Sequence, residues 1–368
     1  MANPFAGPSF LRTFGLVFLA IAVLSVADAF LAKMERVETR VEAARLFEQG
    51  RILMQRGQSA EAIKRIEDAI TIERGNRDYL RTLAQAQFAA GRTDDAESTL
   101  AELLQSDSTD GPASLIMGRV LAKEGRFAEA ISYFHRAIYG QWHDDVAQNR
   151  LRVRFELIDL LAQRDSKEEL LAELLPIQDD APHDLKTRTR MGRLFLVAGS
   201  PARAADVFRG ILRDAPTNAD AYAGLGEAEF DRGNYPAAQR DFQSTLRLEP
   251  EDQVTRRRLD VCNELLMLDP TTRGLGPAEH FRRSLKLVEL TLDETNECIG
   301  QNPSPELREL LDNAGKALKA HVSVARQSDA SESNLDLAEQ LWQVRKRECK
   351  QPPAAESPLA LVLARLAQ

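Results

Sequence analysis

The sequence predicts an all-α chain whose larger part is a stack of antiparallel helix pairs, an α-solenoid of about six units. Three observations carry this expectation. Gly57, Gly91 and Gly125 stand 34 residues apart, and Ala62, Ala96 and Ala130 each follow their glycine by five. Ala69, Leu103 and Ala137 keep the same interval, so several residue types stay in phase over three units. In a chain of 368 residues with 43% apolar content, an aromatic share of only 6% fits thin helix-on-helix packing.

Residues 1–32 come first. A head with Pro4, Pro8 and one basic residue, Arg12, precedes the apolar run FGLVFLAIAVLSV from Phe14 to Val26. Ala27-Asp28-Ala29 then has the small-x-small form of a signal-peptidase site. If Asp28 sits at the interface, the apolar segment extends to Ala32 and is long enough to span a bilayer. A cleaved signal peptide and an uncleaved signal anchor therefore compete. Leu31, Met34, Val37, Val41 and Ala44 continue a helical stripe into the first unit, which favours the anchor. The excess of Lys33, Arg36, Arg40 and Arg45 over Arg12 points to a cytoplasmic solenoid. The weakly basic head with its Ala-x-Ala site points to export, with the solenoid periplasmic and the chain in the inner membrane.

Residues 33–252 form the solenoid. The mid-unit glycine ends the first helix of a pair in the left-handed conformation, and the alanine one turn into the second helix lets the two approach closely. Leu46, Gly50 and Leu53 face Ala62, Ile66 and Ala69 in the first unit; Met117, Gly118 and Leu121 face Ala130, Phe134 and Ala137 in the third. After Gly125 the phase slips by six residues, placing extra chain around Gln141–Gln148 with Trp142 and His143. The fourth unit, in outline Leu151–Asp184, is degenerate. It has Asp165 at the turn, Leu170 in place of alanine, and closes near Pro182, before Gly199 and Gly233 restore the rhythm.

These residues resemble the tetratricopeptide repeat family. The likeness is carried by Leu-Gly and Met-Gly pairs, the Gly-x-x-x-x-Ala step, an aromatic four residues on, and a closing Pro. Ala219–Asp252 fits best, with Tyr222, Leu225, Gly226, Gly233, Tyr235, Ala238, Phe242 and Pro250 in place. The resemblance implies a non-enzymatic scaffold or adaptor that holds partner proteins on the concave face formed by the first helices. The family's carboxylate clamp of paired Asn and Lys on successive first helices is not matched here.

Candidate partner-binding positions on that face are Arg51, Arg81, Arg119, Lys123, Arg152, Phe155, Lys186 and Arg193, followed by the acidic Glu227 and Asp231. This arginine lining would suit an acidic or carboxylate-ended segment. A merely solvated helix face is the competing reading.

Residues 253–270 read as a capping helix, with Leu259, Cys262, Leu265 and Leu266 on one side and Arg256-Arg257-Arg258 solvated on the other. Residues 271–368 read as a helical bundle, with helices at about Pro277–Ile299, Ser304–Val322, Asn334–Lys350 and Pro358–Ala367. Gln301-Asn302-Pro303, the polar stretch Ser328–Ser333, and Gln351-Pro352-Pro353 separate them. Cys298 and Cys349 end helices with one helix running back between them, so a disulfide is sterically open to them in an oxidising compartment; two unrelated thiols is the alternative. Cys262 reads as an inert core thiol.

A net charge of -8 and a pI near 5.4 argue against a general nucleic-acid binder. No phosphate loop, nucleophile–base spacing or metal-ligand cluster stands out, so neither catalysis nor a cofactor is expected. His143 with Asp144 and Asp145 reads as loop solvation. A soluble periplasmic peptide-binding module or chaperone, released by signal cleavage, is the alternative to the anchored scaffold.

Overall fold

The structure is a computed structural model and describes residues 8–178, 184–272, 274–300, 303–349 and 357–367. Pro4, Pro182, Gln301-Asn302 and Gln351-Pro352-Pro353 lie outside these residues. The described chain is helical, and it divides into two compact units, Met1–Leu160 and Leu161–Gln368.

In the first unit, α1 (Pro8–Gln55) pairs with α2 (Ser59–Ile72), α3 (Arg77–Ala89) with α4 (Thr93–Ser106), and α5 (Gly111–Lys123) with α6 (Phe127–Tyr139). α7 (Val146–Gln163) crosses the boundary between the units. The second unit continues with α8 (Lys167–Leu174), then pairs α9 (Leu185–Val197) with α10 (Pro201–Asp214) and α11 (Ala219–Asp231) with α12 (Tyr235–Leu248). It ends in α13 (Gln253–Leu268), α14 (Pro277–Cys298), α15 (Pro305–Lys319), α16 (Gln327–Glu348) and α17 (Pro358–Leu366).

The turn chemistry is the same from pair to pair. Gly57, Gly91, Gly125, Gly199 and Gly233 have φ between 66° and 79°, and a Cβ at Gly57, Gly91 or Gly233 would meet nothing within 4 Å. Glycine stands there for its backbone freedom, not for space. Gly57 N donates to Met54 O and Gln58 N to Leu53 O, which satisfies the last carbonyls of α1 before the chain reverses. In the degenerate unit Asp165 takes the same left-handed conformation, with φ 54°.

The alanines behave as their spacing predicts. Ala62, Ala96, Ala130, Ala204 and Ala238 are fully buried, and so is Leu170, which replaces alanine in the fourth unit. Close approach on the first helix comes from glycine. A Cβ at Gly50 would fall 2.6 Å from Ile66, at Gly192 2.6 Å from Phe208, and at Gly226 2.5 Å from Phe242.

A cap series opens the first helices, 34 residues apart on either side of the irregular fourth unit. Asn76 accepts from Asp78 N and Tyr79 N, Asp110 from Ala113 N, Asp184 from Thr187 N, Asn218 from Ala221 N, and Asp252 from Val254 N and Thr255 N. The second helices have no side-chain cap hydrogen bond.

The phase slip has a local cause. Gly140–Asp145 forms a loop whose Gln141 main chain exchanges hydrogen bonds with the segment before α5: Gly111 N donates to Gln141 O and Gln141 N to Thr109 O. Trp142 Nε1 donates to Ala137 O at 2.8 Å, and its ring lies so close over Gly111 that a Cβ there would be 2.5 Å away.

Three expectations for the C-terminal region change. The polar stretch Ser328–Ser333 does not separate helices, because α16 begins at Gln327. Ser331 and Ser333 return their hydroxyls to the carbonyls of Gln327 and Asp329, and the buried Asn334 donates to Ser284 Oγ, so the polar side chains are satisfied within the packed helix. Arg256-Arg257-Arg258 is not one solvated face: Arg258 bonds Glu227 Oε1 at 3.0 Å and lies 5.4 Å from the Phe230 ring centroid. Nor does α13 close the stack against solvent. One apolar core runs from Phe230, Tyr235 and Phe242 through Cys262 and Leu265 of α13 to Leu287, Leu307, Leu341, Trp342 and Leu363. The 270 boundary thus marks where the repeat pattern stops, not a gap between cores. At the far end of α14 and α16, Cys298 and Cys349 are joined in a disulfide with Cα atoms 5.6 Å apart.

Candidate functional site: the faces of the first helices

The proposed basic lining is largely a set of ion pairs. In the first unit, Arg51 pairs with Glu48 one turn back, at 3.2 Å. Arg81 reaches both Asp78 and the buried Asp110 at 2.8 Å, and Arg77 joins the same cluster through Asp107 and Asp110. Hydrogen bonds donated by Thr109 and Arg77 hold the Asp107 carboxyl well below the usual carboxylate range. Arg119 binds Glu156 through both ends of its guanidinium fork, at 2.8 and 2.6 Å. Lys123 Nζ sits 5.1 Å from the Phe88 ring centroid. Arg152 is exposed and Phe155 half-buried.

In the second unit, Arg193 pairs with Asp220 at 2.8 Å and Lys186 is exposed. Arg188 reaches Asp214 at 2.5 Å. Glu229, buried in α11, takes Arg209 of α10 and Arg232 of its own turn, and accepts from Asn234 Nδ2 at 2.9 Å.

A common rule joins these contacts. Arg81 to Asp110, Arg119 to Glu156, Arg193 to Asp220 and Arg258 to Glu227 each link the first helix of one pair to the first helix of the next, or to its cap. The charges bridge neighbouring first helices like rungs. Of the eight candidate positions, Arg51, Lys123, Arg152 and Lys186 are exposed and outside these rungs; Arg51 is paired with Glu48 of its own helix and Lys123 lies near the Phe88 ring. The acidic partners Asp110, Glu156 and Asp220 escaped the sequence reading because each stands about 30 residues from its arginine, one repeat away.

Catalytic or ligand chemistry has little to work with. Among the described residues no group of three His, Cys, Asp or Glu side chains could hold a metal ion. His143, Asp144 and Asp145 are exposed. Burial pushes the Cys262 thiol up to about 12, which leaves it unreactive. A cavity of about 540 Å³ in the second unit, between α13, α14 and the start of α17, is lined by Met267, Leu268, Leu290 and Leu359 together with charged residues of both signs, among them Glu294 and Lys286.

At the N-terminus, α1 is long and apolar enough to cross a membrane. An 18-residue window within Val17–Gln55 has a mean hydropathy of 2.0, and it is uncovered by the rest of the chain.

Comparison with known proteins agrees with this architecture. Tetratricopeptide repeat family profiles match residues 53–119 and 189–253, which fall on the regular pairs of the two units. The putative cellulose synthase operon protein C of Escherichia coli O157:H7 is 23% identical over 250 residues, 65% of this chain and 22% of its own length. The cellulose synthase operon protein C of strain K12 is 22% identical over 250 residues, 65% of this chain and 21% of its length. The chain thus spans about a fifth of the length of these curated relatives. Among solved structures, the C-terminal part of a repeat-containing protein from Cytophaga hutchinsonii aligns with a TM-score of 0.46 at 13% identity, covering 66% of this chain and 95% of that one. YrrB, described as having an unusual peptide-binding site, aligns with a TM-score of 0.42 at 17% identity, covering 53% and 97%. The two profile matches fall on helix pairs that share one turn, one cap and one small-residue seam, and these stretches, residues 53–119 and 189–253, are tetratricopeptide repeats.

Proposed function

We propose that the chain is a non-enzymatic scaffold of the cell envelope, held in the inner membrane by α1, with its helix pairs in the periplasm. It gathers partner proteins, or extended peptide segments of them, on the faces of its first helices. The observation that carries the reading is the repeated helix pair in which Arg81, Arg119 and Arg193 are tied up in rungs while Arg152 and Lys186 are exposed for a partner's acidic groups.

Two features support the location. The apolar window of α1 has the length and hydropathy of a membrane span. The paired Cys298 and Cys349 fit an oxidising compartment. The basic residues that follow the apolar run argue for the opposite orientation. We weigh the cystine more heavily, because it concerns where the folded bundle resides. Ala27-Asp28-Ala29 favours a second reading, a periplasmic peptide-binding module or chaperone released by cleavage before Phe30.

Affinity purification of the full chain, tagged at its C-terminus, from detergent-solubilised membranes tests the function. Arg152→Glu with Lys186→Glu is expected to lower recovery of the captured partner by roughly tenfold, about 1.4 kcal/mol, while helix content stays unchanged. Undiminished recovery in that variant would remove the basic positions from the binding surface.

A further inference from the structure

From Val17 to Val41 the described side chains of α1 are exposed, with no second helix packed over them. Lipid accounts for the 18-residue apolar window, which starts no earlier than Val17 and so reaches at least Met34. It does not account for Val37 and Val41, which are 54% and 64% exposed although they lie among Glu35, Arg36, Glu38, Arg40 and Glu42. A charged segment outside the apolar run has no reason to keep a row of large apolar side chains facing solvent.

The row has a definite period. Val23, Ala27, Phe30, Met34, Val37, Val41 and Ala44 are separated by alternating steps of four and three residues, the a/d spacing of a heptad seam. Continued past Ala44, the same positions are Glu48 and Arg51, which pair with each other at 3.2 Å. The change coincides with the arrival of α2. From Ala43 onward α1 buries a different face, Ala43, Phe47, Gly50 and Met54, against α2 and α3. The seam is therefore apolar where α1 stands alone and polar where it has an intramolecular neighbour. Beside the seam, Lys33 and Glu38 take the g and e positions that face each other across a parallel pair of identical helices. Arg40 would meet Arg45 in the next such pair, but Arg45 is already bound by Glu42 at 2.8 Å.

We propose that the segment Val23–Ala44 pairs with the same segment of a second copy as a parallel two-stranded coiled coil, a stalk that carries the helix pairs in twos. The inference rests on the reading of α1 as an uncleaved anchor. Two anchors in one membrane enforce the parallel orientation and raise the effective concentration enough for a seam of about three heptads.

Single cysteines in the full-length chain, in native membranes, test it. Val37→Cys and Val41→Cys lie on the seam; Glu35→Cys and Thr39→Cys lie on the opposite side of the helix. Cys298 and Cys349 are bonded and Cys262 is buried, so the native residues give little background. Under mild oxidation the seam positions are expected to give roughly tenfold more homodimer than the outer ones. Val37→Asp with Val41→Asp is expected to halve the mass of the detergent-solubilised protein while its helix content is kept. Equal cross-linking at all four positions, a monomeric mass for the wild-type chain, or seam adducts only to a different protein would overturn the proposal. The intact mass of the same sample reads the anchor separately. A chain beginning at Phe30 overturns the anchor, and the four-position comparison on that chain still decides the seam.

Discussion

Phe208→Ala is expected to destabilise the Leu161–Gln368 unit by about 3–5 kcal/mol, among the largest losses any single truncation in the repeats would cause. Phe208 is fully buried in α10. Its ring is gripped from two sides by glycines of successive first helices: a Cβ at Gly192 would fall 2.6 Å from the ring, and one at Gly224 2.2 Å. The walls of the resulting cavity therefore include bare backbone with no side chain able to swing in and refill it. The same geometry makes Gly224→Ala costly by about 1–3 kcal/mol through overpacking. The two effects are coupled, so Gly224→Ala should cost less beside Phe208→Leu than in the wild-type chain. Urea unfolding followed by far-ultraviolet circular dichroism checks all three variants. Additive losses in the double variant would show that the ring and the glycine do not share one space.

Loss of the cystine is the second large effect. Cys298 and Cys349 are 51 residues apart in sequence and close a loop that contains α15 and the whole of α16. A cross-link over that span restricts the unfolded chain by about 4 kcal/mol in the chain-entropy account. Cys298→Ser with Cys349→Ser is expected to lower the stability of the bundle by that order. A reducing agent should shift the wild-type protein to the same unfolding midpoint and leave the double variant unmoved. Since the core that holds Trp342 and Leu307 also holds Phe242 of the sixth pair, the loss should reach the end of the repeats. A wild-type midpoint that ignores the reducing agent would contradict the pairing.

Much of the repeat architecture could be read from the amino acids, because its determinants are local. Gly57 and Ala62 announce a left-handed turn and a close helix contact within six residues, and Asp165 could be recognised as a substitute for glycine from its phase alone. The cap series from Asn76 to Asp252 was equally periodic, but Asx residues are common enough to pass unnoticed beside glycine. The role of the arginines was not legible. Arg119 looks like a free groove residue until Glu156, a whole unit away, is seen to take both ends of its guanidinium. The start of α16 was missed for a related reason. Ser331 and Ser333 read as separating residues by composition, whereas their hydrogen bonds to Gln327 and Asp329 let them lie inside a packed helix.

The central claim is that partners dock on the first helices and not on the second. Photo-reactive side chains placed singly at Arg152 and Lys186, and at Lys64 of α2 and Arg203 of α10, test it in intact cells. The account predicts covalent adducts to another protein from Arg152 or Lys186 and none from Lys64 or Arg203. Adducts formed equally from both sets, or only from the second helices, would contradict it.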